Sequence, residues 1–244
     1  MNKANLIFLD TETTGNDSEA RLCQVAYKFG GKEVEGFFKP PIPISIEAMS
    51  ISHITNKMVE DKESFFDSKM KKDLERIFSE GNILVAHNAD FDSNILKNDG
   101  VIIGKKIDTV KIAQYLDEKG DIPRYSLQYL RYYFDIDLDP KNAPAHNALG
   151  DIRVLEKLFD YLFEKMEENL ISEEEVLEKM LEISALPVLM KKFGFGKYKG
   201  EKVEDVFQRD PGYLKWLWEQ KKKAQQQGEE NDENWIYTLE YYLS

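Results

Sequence analysis

The stretch from Leu6 to Glu12 (LIFLDTE) constrains the fold more than any other part of the chain. Four apolar residues of β-favouring type run straight into Asp10 and Glu12, the pattern of a buried strand ending in two carboxylates. Side chains alternate along a strand, so the two acids share a face, with Cα atoms roughly 6–7 Å apart. Left alone they repel each other. Hard divalent cations such as Mg²⁺ or Mn²⁺ favour a set of oxygens of this kind. On this stretch alone, the alternative is an ordinary strand whose acids are solvated at its tip.

The chain around this strand reads as a mixed α/β sheet. Thr13 to Ser18 is turn-like, and Leu22 to Phe29 and Val34 to Lys39, separated by Gly30-Gly31-Lys32, form a hairpin beside the first strand. Ser45 and Thr55 are placed to cap short helices. Helical spacing predicts an amphipathic helix over Ser68 to Ser79, with Lys69, Lys71 and Lys72 outward. Ile83 to Ala86 is a short apolar run suited to a central strand, followed by a helix from Ala89 to Lys97. Lys106 to Asp108 reads as a last strand leading into a helix from Thr109 to Leu116, with another over Tyr125 to Tyr133. In Ala148 to Met166, residues Ile152, Leu155, Phe159, Leu162 and Met166 form one helical stripe. A three-stranded meander followed by alternating strands and helices gives one sheet with helices against it. Residues 1–168 are expected to form the main domain, 169–190 a charged helical linker, and 191–244 a small C-terminal module.

Composition sets limits on function. The net charge of −12 argues against holding nucleic acid by bulk attraction, whereas an enzyme that grips phosphate through bound metal carries extra carboxylates. Cys23 is the only cysteine, so neither an internal disulfide nor a cysteine-based zinc cluster is expected. The N-terminal apolar run is too short for a signal peptide or a membrane span, and the protein is expected to be cytoplasmic.

Three separated places combine acid or histidine with a reason to meet: Asp10 with Glu12, the run His87-Asn88-Ala89-Asp90-Phe91-Asp92, and His146 with Asp151. Strand ends and helix starts gather along one edge of an α/β sheet. Four carboxylates there can hold two divalent ions for in-line attack on a phosphodiester. His146 is the candidate general base, on a loop just before the last long helix. Taken singly, Asp92 and Asp151 also read as helix-start acids, His87 as a donor to backbone, and Asp108 as a helix cap.

Asp10-Thr-Glu12-Thr-Thr-Gly15, His87-Asn-Ala-Asp-Phe-Asp92 and His146-Asn-Ala-Leu-Gly-Asp151 resemble, in order, the three motifs of the DEDD exonucleases, the superfamily of the polymerase proofreading subunit. A histidine five residues before the last aspartate resembles the histidine subclass. The resemblance implies an RNase H-like fold, Mg²⁺-dependent hydrolysis with two ions (Mn²⁺ substituting), and release of nucleoside 5′-monophosphates from 3′ ends of DNA. It implies that Asp10, Glu12, Asp92 and Asp151 are metal ligands and His146 the base. Substrate would lie against Thr13 and Thr14, with His53, Asn88 and Phe91 nearby; for His53 the other reading is a capped turn with a buried imidazole. Polymerase or repair proteins are the implied partners, with no membrane. RNA trimming or proofreading remain rival activities, and a non-catalytic nucleic-acid-binding module is the rival of another class.

The tail differs from the rest. Lys191 to Lys223 contains ten Lys or Arg and five Asp or Glu, so it carries 10 − 5 = +5, interleaved with aromatics. Phe193-Gly-Phe-Gly-Lys-Tyr-Lys-Gly200 and Arg209-Asp-Pro-Gly-Tyr-Leu-Lys-Trp216 look like the C-terminal segment of the bacterial exonuclease X group, which implies single-stranded and duplex DNA ends as substrate. Physically, the segment either tracks a nucleic-acid backbone and stacks bases, or forms a satellite core with Trp216 and Trp218 packed inward. Gln225 to Gln227 reads as a loop.

Overall fold

The computed structural model describes residues 2–138, 148–168, 170, 172–228 and 232–244. They form two compact units, Met1–Val110 with Arg124–Glu182, and Lys111–Pro123 with Ile183–Ser244.

The first unit is built on a five-stranded sheet. β1 (Leu6–Thr13), β2 (Leu22–Phe29) and β3 (Lys32–Phe37) form the expected antiparallel meander. The hairpin turn is Gly30-Gly31 alone, with φ of 56° and 75°, and Phe29 pairs with Lys32 across it. Two consecutive positive φ values suit the right-handed twist of the strands, and glycine adopts them without steric cost. Two short helices follow, α1 (Ile46–Ser52) and α2 (Asn56–Val59), capped by Ser45 and Thr55 as expected. Then come α3 (Lys69–Ser79), β4 (Ile83–Ala86), α4 (Ala89–Asn98) and β5 (Lys106–Asp108). β4 and β5 add in parallel, giving the order β3-β2-β1-β4-β5. This is the mixed sheet expected from the sequence.

Alternation along the strands divides the core in two. Ile7, Leu9, Val25, Tyr27, Leu84 and Ala86 meet Leu74, Ile77 and Phe78 of α3 and Ile95 and Leu96 of α4. The remaining helices before residue 186 are α5 (Thr109–Leu116), most of which groups with the second unit, and α6 (Leu127–Tyr133), α7 (Ala148–Glu167) and α8 (Glu173–Ala185). α7 lies against β1 and β2, with Phe159 edge-on to Phe8 at 5.4 Å. All five residues of its predicted stripe are buried. The result is a sheet with a helix layer on each side, and the starts of α4 and α7 reach the end of β1.

The second unit has its own core. α9 (Val203–Arg209), α10 (Pro211–Gln227) and α11 (Glu233–Leu243) enclose Phe193, Val203, Val206, Leu214, Leu217, Trp235 and Leu239, and Phe193 stacks on Trp235 at 4.9 Å. Two expectations are corrected here. Gln225 to Gln227 is the last turn of α10, closed by Gly228 in the left-handed region, so the glutamines act as helix formers. The satellite core exists, and Trp218 packs against it, but Trp216 is 52% exposed and Trp235 fills the central place. No described helix is long and apolar enough to cross a membrane.

Candidate active site

Asp10 and Glu12 stand opposite Ala26 and Gln24 of β2, on one face of β1, and the register slips between Glu12 and Thr13. Asp151 arrives in the first turn of α7. Carboxylate oxygens of Asp10, Glu12 and Asp151 all lie within 4.8 Å of one another. Residues 141 positions apart (151 − 10) are therefore brought to one point by packing α7 across β1. Asp151 is steadied from a third element: Gln128 of α6 donates Nε2–H to its Oδ1 at 2.7 Å.

Asp92 reaches the same strand by another route. β1 pairs with β4 only as far as Phe8 with Val85, and beyond that no strand among the described residues pairs with β1 on this side. Asp92, in the first turn of α4, takes up the free edge: its Oδ1 accepts the Thr11 N–H at 3.0 Å and the Thr11 hydroxyl at 2.7 Å.

Electrostatics follow from this crowding. Burial, then Asp92, Glu12 and Asp151, hold the Asp10 carboxyl well above the ordinary carboxylate range. Burial, then Asp151, pushes Glu12 up to about 7. Asp92 is pushed to about 7, chiefly by burial, against the opposing pull of the two Thr11 hydrogen bonds. Buried acids that cannot all ionise together are what an oxygen-coordinated divalent cation neutralises, and the donor set contains only oxygen.

The other candidates separate into roles. His87 is half-buried, and loss of solvent around its ring drives its imidazole down to about 4. Nε2 faces the Tyr125 carbonyl at 2.6 Å and so carries the proton, while Nδ1 accepts from the Thr109 hydroxyl at 2.9 Å. It is a neutral strut, as the backbone-donor reading held. Asp108 does more than cap its own helix: it accepts from Val110 N–H and also from the N–H groups of Asn88 and Ala89 at the start of α4. Asn88 makes this turn in the left-handed region, with φ 74°. Phe91 is half-buried and lines a groove with Asn16, Asp17, Asn94 and Asn98. Thr13 and Thr14 are buried; the Thr14 N–H donates to Arg21 O and its carbonyl accepts from Ser45 N–H, both at 2.9 Å. His53 ends α1 with φ 59° and is exposed, so the capped turn is present but the buried imidazole is not. His146 lies outside the described residues.

Thr11 and Gln128 were not singled out by their sequence context. For Thr11 the signal is there: it is the residue between two acids on a strand whose parallel neighbour is half its length. For Gln128 nothing in the residue pattern marks it.

Comparison with known proteins gives a consistent result. Residues 7–159 match the exonuclease family (RNase_T), and residues 193–222 match the exodeoxyribonuclease X-like C-terminal family. The chain is 33% identical to exodeoxyribonuclease 10 of Escherichia coli strain K12 over 218 residues, covering 87% of this chain and 90% of that protein. It is 32% identical over 162 residues to the DNA polymerase III subunit epsilon of Treponema pallidum, covering 62% of this chain and 72% of that one. Among solved structures, exonuclease X in complex with 5′-overhanging duplex DNA aligns with a TM-score of 0.55 and 28% identity, covering 73% of this chain and 99% of that one.

Proposed function

The chain belongs to the exonuclease family matched over residues 7–159, and from that membership we infer that it is a 3′ to 5′ exodeoxyribonuclease that hydrolyses phosphodiester bonds at DNA ends. The observation that carries the reading is the convergence of Asp10, Glu12 and Asp151 within 4.8 Å. A relative named as an exodeoxyribonuclease and a neighbour bound to 5′-overhanging duplex, in which the 3′ end is recessed, support DNA 3′ ends as substrate.

The reaction is assigned to residues 1–168 apart from 111–123, which group with the second unit; 169–190 is assigned as the connection, its part up to Glu182 grouping with the first unit, and 191–244 as an accessory module. The family depends on divalent metal, and the all-oxygen acid cluster fits one. Asp10, Glu12, Asp92 and Asp151 are assigned to two Mg²⁺ ions, with Mn²⁺ able to substitute. Such ions supply the positive charge that activates water and stabilises the leaving 3′ oxygen. The protein's own residues do the rest. Thr11 and Gln128 fix Asp92 and Asp151. His146 takes the proton of the attacking water, a role supported by its place five residues before Asp151. Thr13, His53, Asn88 and Phe91 are assigned to the terminal nucleotide, with Thr14 shaping the loop because its own N–H and carbonyl are engaged. Nucleoside 5′-monophosphates leave. The single buried cysteine, Cys23, and a DNA substrate both fit the cytoplasm.

A second reading, a polymerase proofreading subunit, is favoured by the similarity to epsilon, but that similarity covers 62% of the chain. The match over residues 193–222 favours the first. Duplex DNA with a recessed 3′ end, labelled at either terminus, tests the proposal. The 3′ label is expected to leave as mononucleotide with Mg²⁺ and to stay in EDTA. Release of the 5′ label first, or no release from either end, would overturn it.

A further inference from the structure

The second unit carries a basic and aromatic surface that the hydrolytic site does not use. Trp216 of α10 is 52% exposed and lies tilted against Tyr213, with ring centres 5.6 Å apart. Tyr213 meets Tyr198 edge-on at 4.9 Å. Two cations stand over the Tyr198 ring, Lys197 at 4.6 Å and Arg209 at 5.2 Å. The loop that carries Lys197 and Lys199 is drawn onto Tyr213 at Gly196, where φ is +69° and a Cβ would stand 2.8 Å from the Tyr213 hydroxyl. Only glycine allows that approach. Lys197, Tyr213 and Trp216 thus form one strip over the buried Tyr198, and Lys199 and Lys215 are exposed near it in sequence.

Much of the local positive charge is already matched. Lys197 pairs with Asp210, Arg209 with Glu201, Lys192 with Asp121, Lys221 with Asp232 and Lys222 with Glu240. Lys199 and Lys215 enter no ion pair among the described residues. A large exposed indole on a surface that also carries unmatched, exposed ammonium groups fits a partner that joins flat π faces with anionic links. A duplex hides the faces of its bases, whereas a single strand offers them.

We propose that this strip binds single-stranded nucleic acid, with a base stacked on Trp216 and backbone phosphates held by Lys199 and Lys215. The strand's standing as substrate rests on the exonuclease reading, but the binding does not require hydrolysis.

Anisotropy of a fluorescent oligothymidylate with the full-length protein in EDTA tests the proposal. Trp216→Ala is expected to weaken binding about tenfold, and Trp216→Phe, which keeps a stacking face, to retain most of it. Lys199→Ala with Lys215→Ala is expected to lower the slope of log K against log salt by about 1.4, roughly 0.7 for each lost phosphate contact. Trp216→Ala should leave duplex affinity unchanged, as well as hydrolysis of the p-nitrophenyl ester of thymidine 5′-monophosphate. Oligothymidylate affinity unchanged by Trp216→Ala overturns the proposal and hands the surface to a protein partner; equal losses for duplex and single strand overturn it as well. A wild-type protein that binds oligothymidylate through Trp216 but hydrolyses neither the ester nor DNA sinks the exonuclease reading and leaves the strip standing.

Discussion

Thr11 holds Asp92 through both its main chain and its hydroxyl, at 3.0 and 2.7 Å on the same carboxylate oxygen, although the residues are 81 positions apart. The contact exists because β1 continues past the end of β4 and leaves an N–H without a strand partner. One strand therefore supplies two acids on one face and anchors a third acid, Asp92, through Thr11, while Asp151 is held separately from α7 and α6.

Thr11→Val removes the hydroxyl bond and keeps the main-chain bond. Hydrolysis is expected to fall about ten- to a hundredfold at limiting metal and to recover partly at high metal, as with other residues that orient ligands. Single-turnover rates measured against Mn²⁺ concentration check this. Wild-type metal dependence would show that Asp92 needs no hydroxyl to hold it.

Gln128→Leu keeps the bulk on α6 and removes the donor to Asp151. Metal affinity is expected to drop about tenfold, with the fold retained, since Gln128 is only half-buried. Calorimetric titration of Mn²⁺ reads the change directly, and an unchanged affinity would assign the bond to helix packing alone.

Asp10→Asn is expected to abolish cleavage and, in the absence of metal, to raise the melting temperature. The carboxyl it replaces is buried beside Asp92, Glu12 and Asp151, so removing its charge relieves repulsion. Melting in EDTA together with an activity assay separates this from simple misfolding. A less stable, inactive variant would contradict the electrostatic account.

The raised carboxyls also set a pH dependence. Glu12 titrates near 7 in the fold against an ordinary value of 4.5, and Asp92 shifts the same way. The folded state thus binds protons that the unfolded chain has released. Their stabilising contribution is complete below the unfolded value and is lost as pH rises through about 7. Glu33 and Asp210 are shifted downward, so their effects fall below this window. His87, lowered from 6.5 to about 4, acts the other way and adds stability as pH rises to about 6.5, so the two effects oppose each other below that value. Melting midpoints in EDTA are expected to fall from about pH 6.5 to about pH 8, above the range in which His87 opposes the acids, and added Mg²⁺ or Mn²⁺ to cancel most of the fall. A midpoint that climbs across that range in EDTA would falsify this.

The acids were legible because spacing on a strand or at a helix start fixes where a side chain points. Asp10, Glu12 and Asp151 needed only local rules to be aimed at one edge. Thr11 and Gln128 escaped because their importance comes from strand β4 ending early and from α6 lying beside α7, which are tertiary facts. His53 looked equally able to be buried or exposed, and the left-handed turn that ends α1 turned it outward. In the second unit, the aromatics suggested a core, but which tryptophan fills it depends on α11 folding back against α10. Lysines between the aromatics blurred the helical period of α10, and the run Gln225 to Gln227 carried no apolar mark at all.

The distance along the chain between Asp10 and Asp151 has a consequence for timing. During synthesis, the strand with its two acids leaves the ribosome long before α7 exists. A nascent chain that stops short of α7 lacks Asp151, the acid that closes the cluster with Asp10 and Glu12, and is expected to leave nucleic acid around it intact. If Asp151 is a ligand as proposed, hydrolytic competence is expected only once α7 docks on β1, and a chain truncated by a premature stop before that helix is expected to be silent.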